Sequence, residues 1–284
     1  MATKSKDPGD RREAEQAVQS AREQRDRRKA QKALQSARRG QNDRRWIIIG
    51  VVAVVLVAAG VTGAVLYQQH VNNEAFQGAI PLSHVPGGTS TTTVDKAAAT
   101  VTVGKDSAKV TVDAYEDFLC PICGQFEQAY FPGIEKHLTA GDVKIRYHLI
   151  NLLDASSVPP GYSLIAANTA LAVATVAPDK FLDFHYSLYQ KQPSENGAGW
   201  TQDQLDNLAG RLGVSGAQYD DLIKNKTYDA QIQKNLATAK ADKSLYQQNQ
   251  DGSLSFGTPT ITIGGKVVDL NQQDWLDQAV AAAK

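Results

Sequence analysis

The only thiols in this chain of 284 residues are Cys120 and Cys123, three positions apart in the run Cys120-Pro121-Ile122-Cys123. Three kinds of chemistry use such a pair. A zinc site needs two more ligands, but no second Cys-x-x-Cys exists and His137, His148 and His185 show no ligand spacing. A purely structural disulfide closing so short a loop would constrain little chain entropy. Thiol redox chemistry is the use that fits best. Pro121 suits the first turn of a helix because it lacks an N–H that would be unpaired there anyway. With Cys120 at the helix N-terminus, free backbone N–H groups and the helix dipole favour its thiolate, the form that attacks disulfides. Cys123, one turn further in, is expected to be more buried and placed to resolve a mixed disulfide.

The flanking sequence indicates which elements hold the pair. Thr100 to Val103 and Lys109 to Tyr115 alternate and are rich in β-branched residues, and a third such run covers 143–150. Together with the intervening helical stretch they predict a βαβ unit with the cysteines at the strand-to-helix turn. Near the C-terminus, TITI and KVVD flank Gly264-Gly265 and predict a hairpin. Asn271 to Ala283 then reads as a closing helix with Trp275, Leu276, Ala279 and Val280 on one face. Between about 160 and 255 the pattern is helical, without strands. The expected helices are Tyr162–Val176, Lys180–Tyr189, Thr201–Leu212 with Thr201 as cap, Ala217–Lys224 and Thr227–Gln248. The expected order is β-β-α-β, a helical insertion, then β-β-α.

Three motifs together resemble one family: the Cys-Pro-Ile-Cys run, Gln-Phe-Glu at 125–127, and FGTPTITIGGKVVDL at 256–270. The chain resembles the DsbA-like branch of the thioredoxin superfamily, in the membrane-anchored form common in actinobacteria. The resemblance covers residues 98–284 and implies an α/β thioredoxin-like fold with an inserted helical subdomain. It implies that Cys120 and Cys123 are catalytic, and that Pro259, preceded by Thr258, is a cis-proline facing them. Pro121, Ile122, Thr258, Pro259 and Glu127 are the expected supporting residues, with no metal and no cofactor. Two departures stand out. Superfamily members often keep a buried carboxylate six residues before the first cysteine, where this chain has Ala114. Glu116, Asp117 and Glu127 are the remaining nearby acids; Glu127 aligns with an acid on the DsbA active-site helix, and all three otherwise read as solvated or helix-end residues. The second departure is Ile122, where DsbA oxidases carry His; it offers the thiolate no hydrogen bond or charge, so a less oxidising couple is expected. Phe118, Tyr130 and Phe131 flank the active-site helix and are expected in the core, with a substrate groove as the alternative; His148 and His185 are expected on strand or helix surfaces rather than as catalysts, since a thiolate needs no base.

Thirty Lys and Arg balance thirty Asp and Glu, but not uniformly. Residues 1–45 hold 14 basic against 7 acidic residues, which leaves 16 against 23 for the rest. This basic tail precedes an uncharged run from Trp46 to Tyr67, 22 residues long. As a helix rising ~1.5 Å per residue, the run matches the ~30 Å hydrocarbon layer. Arg and Lys cluster before it and are absent from 68–87, so the N-terminus is expected in the cytoplasm and the cysteines outside the cell membrane. The expected layout is a cytoplasmic tail at 1–45, a transmembrane helix at 46–67, a flexible Pro/Gly/Thr-rich linker at 68–97 and a folded domain at 98–284. No phosphate loop, serine-nucleophile elbow or base-reading motif is present, and no nucleic-acid partner is expected. The combined expectation is an extracytoplasmic, single-pass oxidoreductase that forms disulfides in exported proteins and is reoxidised by a quinone-linked membrane partner. The alternatives are a reductase or isomerase using the same cysteines, or a binding module that kept the fold without the activity.

Overall fold

Short alternating strands supply the frame. In chain order they begin with β1 (Thr92–Asp95), β2 (Thr100–Gly104) and β3 (Val110–Glu116). Helix α1 (Pro121–Ala140) and strand β4 (Val143–Leu149) follow. The insertion contributes α2 (Tyr162–Val176), α3 (Phe181–Gln190), α4 (Gln202–Arg211), α5 (Ala217–Lys224) and α6 (Asp229–Ala241). A two-residue pair, β5 (Gln247–Gln248) and β6 (Leu254–Ser255), leads to β7 (Thr260–Ile263), β8 (Lys266–Val267) and α7 (Trp275–Ala282). The computed structural model describes residues 22, 25, 27–32, 60–63, 78–85, 91–249 and 251–284. The chain divides into two units, 1–67 and 68–284. In the first unit every described residue is helical. The expected membrane span at 46–67 lies outside the described residues except for 60–63, and among the described residues no helix is long and apolar enough to cross a membrane.

The main sheet has the order β1-β2-β4-β3-β7-β8. β3 and β4 run parallel in register Val112 to Ile145, and every other pairing is antiparallel. The parallel pair requires a crossover, and α1 is that crossover, which places its N-terminus at the end of the central strand β3. Along β3 burial alternates, so Val110, Val112, Ala114 and Glu116 share the buried face. Gly264 and Gly265 both have positive φ, 58° and 76°, as the expected two-residue turn between β7 and β8 requires.

Helix α2 is apolar nearly all round, and Ala166, Ala167, Ala170, Ala172 and Ala174 are buried, which lets the other insertion helices approach it closely. Thr201 starts α4 with a capping box, its hydroxyl accepting from the Gln204 N–H. The expected helix over 227–248 is shorter than the sequence predicts. It ends at Ala241 because Asp242 leaves helical geometry and its carboxylate accepts the Ser244 N–H at 2.9 Å. The strand pair β5–β6 then forms where only helix is expected.

The expected flexible linker at 68–97 also needs correction for its described parts. β1 is an edge strand of the sheet, and residues 78–85 lie against the insertion. Ile80 is fully buried, and Val85 N–H and Ser83 N–H donate to Asp183 Oδ1 at 2.8 Å and Ser187 Oγ at 2.9 Å. Gln204 and Arg211 donate to the carbonyls of Gly78 and Ile80. The segment has no period of its own, and side chains 98 to 131 positions away satisfy its backbone, so the local sequence carries no sign of this docking.

Candidate active site

Cys120 is the N-cap of α1 in extended geometry (φ −71°, ψ 116°), with Pro121 in the first turn. The turn that delivers it is organised by Asp117, which is fully buried. Its Oδ1 accepts the Leu119 N–H and its Oδ2 the Leu153 N–H, both at 2.8 Å, and its carbonyl accepts the Cys120 N–H at 3.0 Å. From the insertion, the Gln192 amide donates to the carbonyls of Phe118 at 3.0 Å and Cys120 at 2.7 Å. A Cβ on Gly124 would meet Gln192 Oε1 at 2.5 Å, so glycine at 124 leaves that amide its place. Asp117 and Gln192 thus hold the strand-to-helix turn from two sides.

The cis-proline loop closes over the cysteines. Thr258–Pro259 is cis, as is Val158–Pro159. Thr258 lies 138 positions from Cys120, and its carbonyl accepts a hydrogen bond from the Cys120 thiol at 3.2 Å. The loop is tied to β5, where the Gln247 amide donates to the Pro259 carbonyl at 3.0 Å and to Thr260 Oγ1 at 2.6 Å. Ile122 is 53% exposed and sits on the rim beside Cys120, which is itself 5% exposed.

The two sulfurs differ sharply. The Cys120 thiol is pushed down to about 6, chiefly by a hydrogen bond from Cys123. Burial opposes the shift, and the Thr258 side chain and the N–H groups of Cys123 and Ile122 add to it. The Thr258 carbonyl works the other way, since it can only accept from the protonated thiol; the donors that stabilise the thiolate outweigh it. Cys123 is fully buried, and its thiol is pushed well above its ordinary range by burial, by its bond to Cys120 and by charge on Cys120 and Glu116. The pair is a dithiol, with one sulfur poised as nucleophile and the other held protonated.

Behind the cysteines the structure departs from the sequence reading. Ala114 is buried in β3, as its place in the strand requires, but Glu116 and Glu127 are buried as well, neither solvated nor at a helix end. His185, expected on a helix surface, is fully buried beside Glu116. Periodicity carried all three. Glu116 has the parity of Val112 and Ala114; Glu127 follows Cys123 by one helical turn; and Phe181, Phe184, His185 and Leu188 form one helix face. His148 lies at the side of the sheet, paired with Asp113 at 2.8 Å. Phe118 and Phe131 are buried, and the Tyr130 hydroxyl donates to the Leu270 carbonyl. Of the supporting residues, Thr258 meets Cys120 through its carbonyl, Pro259 follows it across the cis bond, and Glu127 is fully buried beside Glu116. Gln192 and Gln247 support the site without having been singled out for it, because a lone amide gives no local pattern, and Asp117, read only as a nearby acid, is the residue that holds the turn.

The arrangement resembles known proteins along most of its folded length. “Disulfide bond formation protein D” of Bacillus subtilis is 30% identical over 159 residues, covering 56% of this chain and 64% of that protein. “Serine/threonine-protein kinase PknE” of Mycobacterium tuberculosis is 28% identical over 174 residues, covering 60% of this chain and 29% of the kinase. The chain therefore spans less than a third of the kinase's length and just under two thirds of the Bacillus protein's. Among solved structures, reduced DsbA from Mycobacterium tuberculosis superposes with a TM-score of 0.51 at 26% identity, covering 66% of this chain and 100% of that one. The thioredoxin family model matches residues 96–282, so this chain belongs to the thioredoxin family.

Proposed function

We propose that this chain is a DsbA-type thiol–disulfide oxidoreductase that works outside the cell membrane and forms disulfides in exported proteins through Cys120 and Cys123. The observation that carries the reading is the asymmetry of the pair. Cys120 sits at a helix N-terminus with its thiol pushed down to about 6, and Cys123 is buried with its thiol pushed up. In the oxidised protein a substrate thiolate attacks Cys120 Sγ, and Cys123 leaves. A second substrate thiol then attacks the mixed disulfide, and Cys120 leaves as the stabilised thiolate. The cis-Pro259 loop beside Cys120 offers main-chain groups to an extended substrate segment. The uncharged run at 46–67, with its basic N-terminal flank, supports a single-pass anchor that keeps the N-terminus in the cytoplasm and the site outside. Sustained oxidation then requires a membrane partner that passes electrons to a quinone.

Equilibrating the protein in graded glutathione buffers and measuring the oxidised fraction of the pair tests the direction of flow. A potential near about −120 mV marks a disulfide donor, and one near about −270 mV a reductant. Ile122, apolar and exposed between the cysteines, favours a second reading as reductase or isomerase, which a value at the lower end would select. Exchange activity that survives Cys120→Ala would refute both.

A further inference from the structure

Three ionisable side chains meet behind the cysteines, each delivered by a different element. Glu116 ends β3, Glu127 lies on α1 one turn after Cys123, and His185 comes from α3 of the helical insertion. All three are completely buried. His185 Nε2 lies 3.0 Å from Glu116 Oε2, and one oxygen or nitrogen from each of the three falls within 4.8 Å of the others. The carboxyls of Glu116 and Glu127 face each other, an arrangement that makes a hydrogen bond only when one carries a proton. Tyr147 and Tyr189 pack on the imidazole at 4.5 and 5.1 Å between ring centroids. Their hydroxyls and His185 Nδ1 have no hydrogen-bond partner among the described residues, and Glu116 Oε1 and both Glu127 oxygens have none while the carboxyls are ionised.

A group this polar is a poor way to stabilise a core, because each unpaired buried polar atom costs ~1–3 kcal/mol. Among the described residues no lysine or arginine acts on Glu116, Glu127 or His185, so two facing carboxyls cannot both ionise and the group must hold a proton. Burial pushes Glu116 up to about 8 and Glu127 well above its ordinary range, and pushes His185 down to about 4. Near neutral pH the group is therefore uncharged, with protons on its carboxyls. Charge on Glu116 disfavours the Cys123 thiolate, and charge on Cys120 disfavours ionised Glu116, so the group and the two sulfurs act on one another. Asp117, Tyr147 and Tyr189 are the other titratable groups facing this region.

We propose that Glu116 exchanges a proton with Cys123 during thiol–disulfide exchange, that His185 is the positioning residue holding the Glu116 carboxyl, and that Glu127 is a second proton site. The proposal deepens the oxidoreductase reading and rests on it. As the substrate thiolate bonds to Cys120 Sγ, the Cys120–Cys123 bond breaks and its electron pair leaves on Cys123. The Glu116 proton moves to that sulfur, leaving Cys123 as a thiol and Glu116 as a carboxylate. His185 Nε2–H donates to Glu116 Oε2 whether Glu116 carries its proton on Oε1 or is ionised, so one contact serves both states. Glu127 shares its proton with the new carboxylate until Glu116 is reprotonated. Of the two protons the substrate thiols release, one thus ends on Cys123 and the other stays in water, because Cys120 remains ionised. The usual superfamily position holds Ala114 here; Glu116, two residues on, has the same strand parity and reaches the same layer. A residue of the helical insertion then takes a direct part in the chemistry.

The test uses the full chain in detergent, oxidised and mixed with dithiothreitol, quenched with acid and alkylated to count thiols. Glu116→Gln should slow reduction by ~10-fold or more near neutral pH, less than the ~10²–10⁴-fold that positioned proton transfer contributes because Glu127 remains. The ratio of wild-type to variant rate should fall toward one as pH rises through about 8, where Glu116 ionises on its own. His185→Gln should show a smaller loss and a shifted pH profile. Equal rates and profiles for wild type and Glu116→Gln overturn the proposal, as does one equivalent of tightly bound divalent metal per chain. If Glu116→Gln does not fold, redox-difference infrared spectroscopy of the wild type decides: a carboxylic-acid band must change between the oxidised and reduced forms, and a silent region overturns the proposal. A wild type that does not exchange with dithiothreitol refutes the oxidoreductase reading itself, whereas an exchanging wild type with an unaffected Glu116→Gln refutes only the proton exchange.

Discussion

Lowering the pH should destabilise the reduced protein more than the oxidised one, by an amount that the Cys120 site sets. The Cys120 thiol is pushed down to about 6 from an ordinary 9.0. At pH 7 the folded sulfur is about 90% ionised and the unfolded one almost wholly protonated, which favours the folded reduced state by about 1.4 kcal/mol. For an acid whose folded value is depressed, this contribution is complete above about pH 9 and is lost as pH falls through about 6, so by about pH 5 little remains. In the oxidised protein neither sulfur ionises. Asp117, pushed up to about 6 by burial, His185, and Glu116 and Glu127, which burial keeps protonated in the folded protein across this range, titrate alike in both oxidation states and cancel in the difference to first order. Urea unfolding of residues 68–284 in both states, from about pH 7 to about pH 5, should therefore show the reduced-minus-oxidised stability falling by about 1.4 kcal/mol. By linkage the same 1.4 kcal/mol makes the couple about 30 mV more oxidising at pH 7 than a pair of neutral thiols. A difference that stays flat to a few tenths of a kcal/mol would mean that the helix end, the Cys123 thiol and Thr258 do not hold a thiolate, and would remove the basis for Cys120 as nucleophile.

Three further outcomes follow from the geometry. Cys123→Ala should trap mixed disulfides on Cys120, visible as dithiothreitol-sensitive adducts on gels, and should raise the Cys120 thiol by ~1–2 units, since a hydrogen bond to a charged group is worth ~1.5–3 kcal/mol; alkylation rate against pH reads this. Asp117→Ala strands the buried N–H groups of Leu119 and Leu153 and should destabilise the fold by ~2–5 kcal/mol in urea unfolding, whereas an exposed acid would cost almost nothing. Gln192→Ala releases the carbonyls of Phe118 and Cys120 and should cost ~1–3 kcal/mol, with slower exchange from a looser turn; full activity and stability would show that the turn holds its shape without the insertion.

The active-site helix, its proline and the strands around it were legible because each rests on local rules. Pro121 marks a first helical turn, β-branched alternation marks β2, β3 and β4, and two glycines mark the β7–β8 turn. The meeting of Thr258 with Cys120 needed more than local rules. The motif resemblance anticipated it, and only the sheet order, which sets β7 beside β3, brings residues 138 positions apart to 3.2 Å.

The buried acids show where the two levels part. Strand parity and helix periodicity already put Glu116, Glu127 and His185 on inward faces, yet a carboxylate in sequence reads as solvated because burial without a partner is costly. Whether a partner exists depends on which side chain of the insertion arrives opposite, and that is a tertiary fact. The docking of residues 78–85 has the same origin, since its backbone partners Asp183, Ser187, Gln204 and Arg211 lie far along the chain. The sequence by itself determined the periodicities, the turn chemistry and a thiol pair at a helix end, because these depend on neighbours within a few residues. Only the tertiary structure decided which polar groups lose water together, and with them the proton inventory behind the cysteines, because desolvation depends on everything packed around a group.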